Sequence, residues 1–322
     1  MGVAGITYRE ATLDDAELAA DIMTAAYPAL ALDPVVTRYR WEQPRHGYET
    51  GRFIAELEGR PIAYLAWMHG PWSELPERHC EIEVWLDRSV PGRQLLEPMW
   101  AWIEARAVAE GSRVLIAYAG EDEPEMLEAL AALGHGRDRL DRGWELDLAV
   151  HGKRLVDEAV QARKRMRAES VELVTLATWK DPEAMRKLHE LNQRTVQDVP
   201  HTVPILDEPL EDFERRVSAP DRRSDRLWVA LLADRPVAMS YLKFPPVRGR
   251  VFTGFTCSDP AYRGRGIARA VKLQTLAQAV ELGVPVVYTE NDSENAPMLH
   301  INQALGYRLR PGFVQHLKRV TT

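Results

Sequence analysis

Thr256-Cys257-Ser258-Asp259-Pro260-Ala261-Tyr262-Arg263-Gly264-Arg265-Gly266-Ile267-Ala268-Arg269-Ala270-Val271-Lys272 is the most informative stretch of the 322-residue chain. A strand ends, a proline turn follows, and two glycines open a helix that continues through Leu273, Leu276 and Ala277. Glycines at such a junction let the backbone approach a ligand closely. The first helical N–H groups have no partner inside the helix and sit at the positive end of its dipole. Together these features make an anion site, suited above all to a pyrophosphate. Arg263 and Arg265 add charge, and a guanidinium can grip phosphate with two donors at once.

Three phosphate-binding patterns are separable here. No G-x-x-x-x-G-K-[S/T] occurs in this stretch, so it is not a P-loop. G-x-G-x-x-G also fails, because Arg269 stands where the third glycine belongs. The stretch also comes late in its domain, after a hairpin, unlike a dinucleotide-binding unit. The pattern (Q/R)-x-x-G-x-(G/A) is met in full by Arg263 to Ala268.

In that pattern the stretch resembles the acetyl-coenzyme A signature of the GNAT acetyltransferase superfamily. A second stretch, running Tyr288-Thr289-Glu290-Asn291 through Asn295-Ala296-Pro297-Met298 to Asn302 and Leu305-Gly306-Tyr307, resembles that superfamily's second signature. There a strand ends in Asn, a helix carries another Asn, and the helix closes at Leu-Gly-Phe/Tyr. This version is similar to that of bacterial two-domain members. The resemblance implies an α/β chain of two tandem GNAT-like domains, each a mixed, mostly antiparallel sheet flanked by helices. It implies acetyl-CoA as cofactor, with the pyrophosphate on Arg263, Gly264, Arg265, Gly266, Ile267 and Ala268. The pantetheine arm would pair with Thr256, Cys257 and Ser258, and Asn291, Asn295 and Asn302 would support the cofactor. Two departures matter. Many members carry a proton-donating Tyr seven residues after the helix Asn, and here that position is Asn302. No carboxylate lies between Thr253 and Cys257, where the usual base is found. The remaining candidates are Glu290 as base, and Tyr288, Tyr307 or a water as acid.

Working outward, the order of elements repeats. Ile6–Ala11 reads as a strand, and Thr12 with Asp15 reads as the entry of a helix that Pro28 stops. Phe53–Leu57 and Pro61–Trp67 flank Glu58-Gly59-Arg60 as a hairpin, just as Trp228–Leu232 and Pro236–Tyr241 flank Ala233-Asp234-Arg235. Asp87 and Asp259, Met126 and Met298, Leu127 and Leu299, and Gly134 and Gly306 are all 172 positions apart. A shared spacing over strand, helix and helix end argues for two copies of one α/β unit. The expected division is a domain over 1–150, a helical linker over 151–168, and a second domain over 169–322. The linker stripe is Leu155, Ala159, Ala162 and Met166. In the first copy, Pro91-Gly92-Arg93-Gln94-Leu95-Leu96 replaces the glycine motif, and its side chains would crowd a pyrophosphate. That half is expected to have lost the cofactor.

Composition narrows the function further. Lys plus Arg number 41 against 48 Asp plus Glu, a net charge of −7, which disfavours nucleic acid as a partner. The basic run Lys153–Arg167 reads as a solvated helix face. Two cysteines, Cys80 and Cys257, cannot staple a fold or form a cysteine zinc module. No metal site is expected. No apolar run approaches the roughly 18 residues that span a bilayer, and the N-terminus lacks a signal-peptide pattern, so the expected setting is cytoplasmic. Asp198 and His201, after the first helix of the second half, are candidates to hold an amine substrate. Cys257 reads as a small strand residue and His300 as a surface histidine. The expected activity is acetyl transfer from acetyl-CoA to a primary amine of a small molecule by direct attack in a ternary complex, by a monomer or homodimer. The alternative is an acyl-CoA-binding regulatory or sensor protein with little catalysis.

Overall fold

The structure is a computed structural model that describes residues 5–90 and 93–320. In chain order the elements are β1 (Ile6–Glu10), α1 (Ala16–Ala26), α2 (Pro34–Glu42), β2 (Glu49–Leu57), β3 (Arg60–His69), β4 (His79–Leu86), α3 (Arg93–Ala109), β5 (Val114–Gly120), α4 (Pro124–Ala132), β6 (Gly136–Asp147) and α5 (Leu148–Ala168). The second half continues with β7 (Val171–Thr175), α6 (Ala184–Val196), α7 (Leu210–Val217), β8 (Leu227–Leu232), β9 (Arg235–Lys243), β10 (Val251–Ser258), α8 (Ile267–Glu281), β11 (Val286–Asp292), α9 (Ala296–Leu305) and β12 (Arg308–Arg319).

Local chemistry accounts for many of these boundaries. Both hairpins turn through two residues with positive φ, Glu58 and Gly59 in one, Ala233 and Asp234 in the other. Such turns match the right-handed twist of the flanking strands. Helices α4 and α9 are both followed by a left-handed glycine, Gly134 at φ 85° and Gly306 at φ 93°. That is the usual way to satisfy the last helical carbonyls. Asp33 caps α2 by accepting from the N–H groups of Val35 and Val36.

Two compact units result, and their boundaries differ from the expected ones. The first comprises residues 1–141, 246–249 and 311–322, the second residues 142–245 and 250–310. In the first, the strands run β1-β2-β3-β4-β5-β12; in the second, β6-β11-β10-β9-β8-β7. Neighbouring pairs are antiparallel from β1 to β4, and β4 pairs with β5 in parallel. The last strand, β12, was not anticipated and completes the first unit. It pairs antiparallel with β5 from Phe313↔Gly120 to Arg319↔Val114. Likewise, α5 is an integral helix of the second unit rather than a linker. Its expected stripe of Leu155, Ala159, Ala162 and Met166 is buried in one apolar cluster with Ile267, Val271, Leu273 and Leu276 of α8. Gly152 allows this close approach, since a Cβ there would lie 3.1 Å from Val280 Cγ2. Helices α2 and α7 were also not anticipated. Of the degenerate motif in the first half, Pro91 and Gly92 lie outside the described residues.

Candidate functional site

The site is built where β10 and β11 part. These parallel strands pair only at Val251↔Val287 and Phe252↔Tyr288 among the described residues. On its other side β10 remains paired with β9, with a register shift between Thr253 and Phe255. The shift falls at Gly254, where a Cβ would lie 2.0 Å from the Tyr241 ring, so only glycine fits. A bulge bends a strand and increases its twist. Beyond Phe252 the β10 edge from Thr253 to Ser258 therefore leaves β11 and offers backbone groups to an added strand.

A pinned corner carries this edge into the anion loop. Asp259 is buried, accepts from the Ala261 N–H at 3.0 Å, and takes Arg235 at 3.0 Å and Arg194 at 3.3 Å. The loop then passes through Gly264 at φ 77° and Gly266 at φ 74°, the latter capping α8. A Cβ on Gly264 would meet nothing within 4 Å, and one on Gly266 would meet only the Arg165 guanidinium, at 3.3 Å. Side chains at these two positions would fill an open cradle over the first N–H groups of α8. The cradle and the free strand edge fit the pyrophosphate and amide-bearing arm of a coenzyme A thioester.

The arginines of the loop are already engaged. Arg263 pairs with Asp198 and donates to the Ser258 carbonyl at 3.3 Å, and Arg265 pairs with Glu169 at 3.0 Å. Arg269, one turn into α8, pairs with Glu158 at 2.5 Å. Asp198, expected as an amine anchor, is paired with the loop arginine here. His201 is exposed, and its ring nitrogen Nδ1 lies 2.7 Å from the Val199 carbonyl.

The remaining expected residues fall in distinct environments. Thr256 shares a 2.8 Å hydroxyl contact with Ser240 across the strands. Cys257 is buried in an apolar cluster, and burial pushes its thiol up to about 11, which suits packing rather than nucleophilic attack. Ser258 ends the strand, Ile267 is buried, and Ala268 is half-buried on the first turn of α8. Asn295 is the N-cap of α9, accepting from the Met298 N–H. Tyr288 is half-buried, with the Arg250 guanidinium 4.1 Å and that of Arg310 6.0 Å from its ring centre. Glu290 is half-buried two residues further along β11. Tyr307 is buried, and burial holds its hydroxyl well above the usual range. Asn302 is fully buried, so it reaches a cofactor only through its neighbours.

Two features escaped the sequence reading. Lys272, in the middle of α8, has no exposed surface, and its Nζ donates to Asn302 Oδ1 at 2.7 Å. A lysine set between the apolar Val271 and Leu273 was the available signal. In the first unit, Glu81 and Glu83 stand on β4 where the 172-residue offset matches Thr253 and Phe255. Burial and its neighbour Glu83 push Glu81 up to about 7, while Trp85 Nε1 donates to Glu83 at 2.9 Å. The carboxylates absent from β10 thus lie on the equivalent strand of the other unit. Among the described residues no cluster of His, Cys, Asp and Glu could hold a metal, and no helix is long and apolar enough to cross a membrane.

Comparison with known proteins places this architecture. Residues 188–307 match the acetyltransferase (GNAT) family. The chain is 25% identical over 285 residues to the mycothiol acetyltransferase of Thermobifida fusca, covering 82% of this chain and 83% of that one. A tandem GNAT protein of the clavulanic acid biosynthesis pathway has the same fold, with a TM-score of 0.75 at 17% identity over 98% of this chain and 99% of that one. A GCN5-related N-acetyltransferase from Sphaerobacter thermophilus superposes with a TM-score of 0.67 at 16% identity, over 100% and 98% of the two chains.

Proposed function

The second half of the chain carries a GNAT acetyltransferase domain, and from that premise we propose that this acyltransferase moves an acetyl group from acetyl-CoA to the primary amine of a small molecule, both bound at once. The observation that carries the reading is the continuity of the free β10 edge with the open cradle at Gly264 and Gly266. When bound, the coenzyme supplies an acetyl group already activated as a thioester. The chain's own residues bind and orient. Thr256, Cys257 and Ser258 present N–H and C=O groups to the pantetheine amides. The N–H groups at Gly266, Ile267 and Ala268 face the pyrophosphate, where the helix dipole favours negative charge. Arg263 and Arg265 exchange their partners Asp198 and Glu169 for phosphate oxygens. Glu290 takes the proton that the attacking amine must lose, and Tyr288 is the donor to the departing sulfur. A neutral amine held beside a thioester needs little further help, because positioning alone removes much of the barrier. The acidic net charge suits a cationic acceptor, and a relative named for mycothiol supports a small-molecule one.

Calorimetric titration with acetyl-CoA tests the reading. One site per chain is expected, with binding lost in Gly266→Trp and thiol released on addition of a suitable amine. A second reading, an acyl-CoA sensor, is favoured by the missing β10 carboxylate and by Asn302 at the tyrosine position. Tight binding without turnover on any amine would select it. No binding at millimolar cofactor would exclude both.

A further inference from the structure

Helix α8 is enclosed over most of its surface, and Lys272 is fully buried on it. Its Nζ lies 2.7 Å from Asn302 Oδ1 and 5.0 Å from the centre of the Tyr307 ring. Asn302 is also fully buried, and its Nδ2 donates to Asn291 Oδ1 at 2.6 Å. Asn291 stands on β11, three residues beyond the last pair with β10, where the strands have separated. The amide nitrogen of Asn291 has no partner among the described residues.

The polarity of this chain of contacts follows from its inner end. An ammonium has three N–H donors and no lone pair, so it must meet the oxygen of Asn302. The Asn302 nitrogen is then left to donate to Asn291, which can receive it only through oxygen. The Asn291 nitrogen is therefore the group left unspent at the strand end. An apolar residue at position 272 would fill the same space without the cost of burying an amine.

We propose that Lys272 is a positioning residue of the cofactor site: through Asn302 it orients the Asn291 amide so that a hydrogen-bond donor, not an acceptor, faces the thioester end of acetyl-CoA. The inference rests on the acetyl-CoA reading above. It also carries a pH dependence. Burial is the cause that pushes the Lys272 ammonium down to about 7, and no charged group contributes to the shift. Tyr307 is the titratable neighbour, held by burial too high to ionise in this range. The charged side chains of α5 near α8 are engaged elsewhere, Glu158 with Arg269 and Arg163 with Gln274. Above the lysine's pKa the neutral amine gains a lone pair. Asn302 can then turn over, and Asn291 would present its oxygen to the cofactor instead.

The test is the Kd for acetyl-CoA by calorimetry from pH 6 to 9.5, with kcat and KM alongside, in wild type, Asn302→Asp and Lys272→Met. Asn302→Asp keeps a partner for Nζ but cannot donate to Asn291. Loss of one oriented hydrogen bond is expected to weaken binding about tenfold while thermal stability holds. Wild-type affinity should fall as pH rises through 7. Lys272→Met should bind more weakly than wild type at pH 6 and lack this step, retaining only the cofactor's own phosphate ionisation, which all three proteins share. If Lys272→Met fails to fold, Asn302→Asp decides alone. Unchanged affinity and pH profile in the variants would leave Lys272 a packing residue and overturn the inference. Wild-type protein that binds no acetyl-CoA would overturn the functional reading itself.

Discussion

At the scale of single residues, one backbone position, Gly266, and two titratable side chains, Lys272 and Glu81, dominate. Gly266 combines positive φ with an open cradle, so a side chain there is strained and occupies the space the cradle offers to a ligand. A Gly266→Val substitution is expected to cost about 1–2 kcal/mol in stability and to lower acetyl-CoA affinity more than tenfold. Denaturant titration reads the first and calorimetry the second. The two titratable side chains make stability depend on pH in opposite senses. Lys272 has a folded pKa near 7 against an ordinary 10.5. Between those values the unfolded chain binds more protons, so stability rises with pH from 7 to 10.5 and the contribution is lost as pH falls. Lys272→Met should abolish that rise, read as thermal melts from pH 7 to 10.5. Glu81 behaves the other way, being raised to about 7 from an ordinary 4.5. The folded chain holds its proton longer, so stability falls as pH climbs from 4.5 to 7. Thermal melts of Glu81→Gln across that window should show a flatter profile than wild type.

At the scale of elements, the hairpin between β8 and β9 has an identifiable weakness. Ala233 at φ 48° and Asp234 at φ 60° occupy left-handed positions that glycine fills more cheaply. Asp234→Gly is expected to stabilise the protein by about 0.5–1 kcal/mol, read as a higher denaturant midpoint with an unchanged slope. Cap chemistry argues in the other direction for α9. Removing its N-cap in Asn295→Ala should cost about 1 kcal/mol. Both hairpins, α8 with its glycines, and α9 with its cap and closing Leu-Gly were legible in the sequence, because each depends on residues adjacent in the chain. Helix α2 was not, because Trp41 and Tyr39 interrupt a polar segment with no clean stripe. Strand β12 was hidden for a related reason. Arg308-Leu309-Arg310-Pro311-Gly312 reads as a turn-like tail, and it hides the strand residues that follow, 313–319, whose pairing with β5 is not visible along the chain.

At the scale of the whole molecule, the chain's last strand belongs to its first unit from residue 311 onward. Beyond pairing with β5, β12 places Lys318 Nζ 2.5 Å from Glu104, and the Val320 N–H donates to the Arg113 carbonyl at 2.8 Å. Deleting residues 311–322 removes an entire ladder from the first unit without touching residues 1–141. The expected result is protease sensitivity within residues 5–120 and a lower unfolding midpoint, measured by limited proteolysis and denaturant titration. If the truncated protein melts like wild type, β12 contributes little to that unit. The repeat spacing of 172 positions was visible in the sequence, but the exchange of terminal segments was not. Repeats report common ancestry of elements, whereas strand pairing depends on which edges are free in three dimensions.

The glycine loop, the helix it opens, the paired asparagines and the twofold repeat are legible along the chain. Each is encoded by short-range chemistry: glycine's access to positive φ, orphan N–H groups at a helix start, and fixed spacing along a strand or helix. Tertiary packing alone sets the pairing of Asp198 with Arg263, the seating of α5 on α8, and the hydrogen-bonded chain from buried Lys272 and Asn302 to half-buried Asn291. Those relations join residues 111 positions apart for Arg269 of α8 and Glu158 of α5, 65 for Arg263 and Asp198, and 30 for Lys272 and Asn302. Burial of a charge and the choice of its partner depend on the packing of distant segments, which local pattern does not specify.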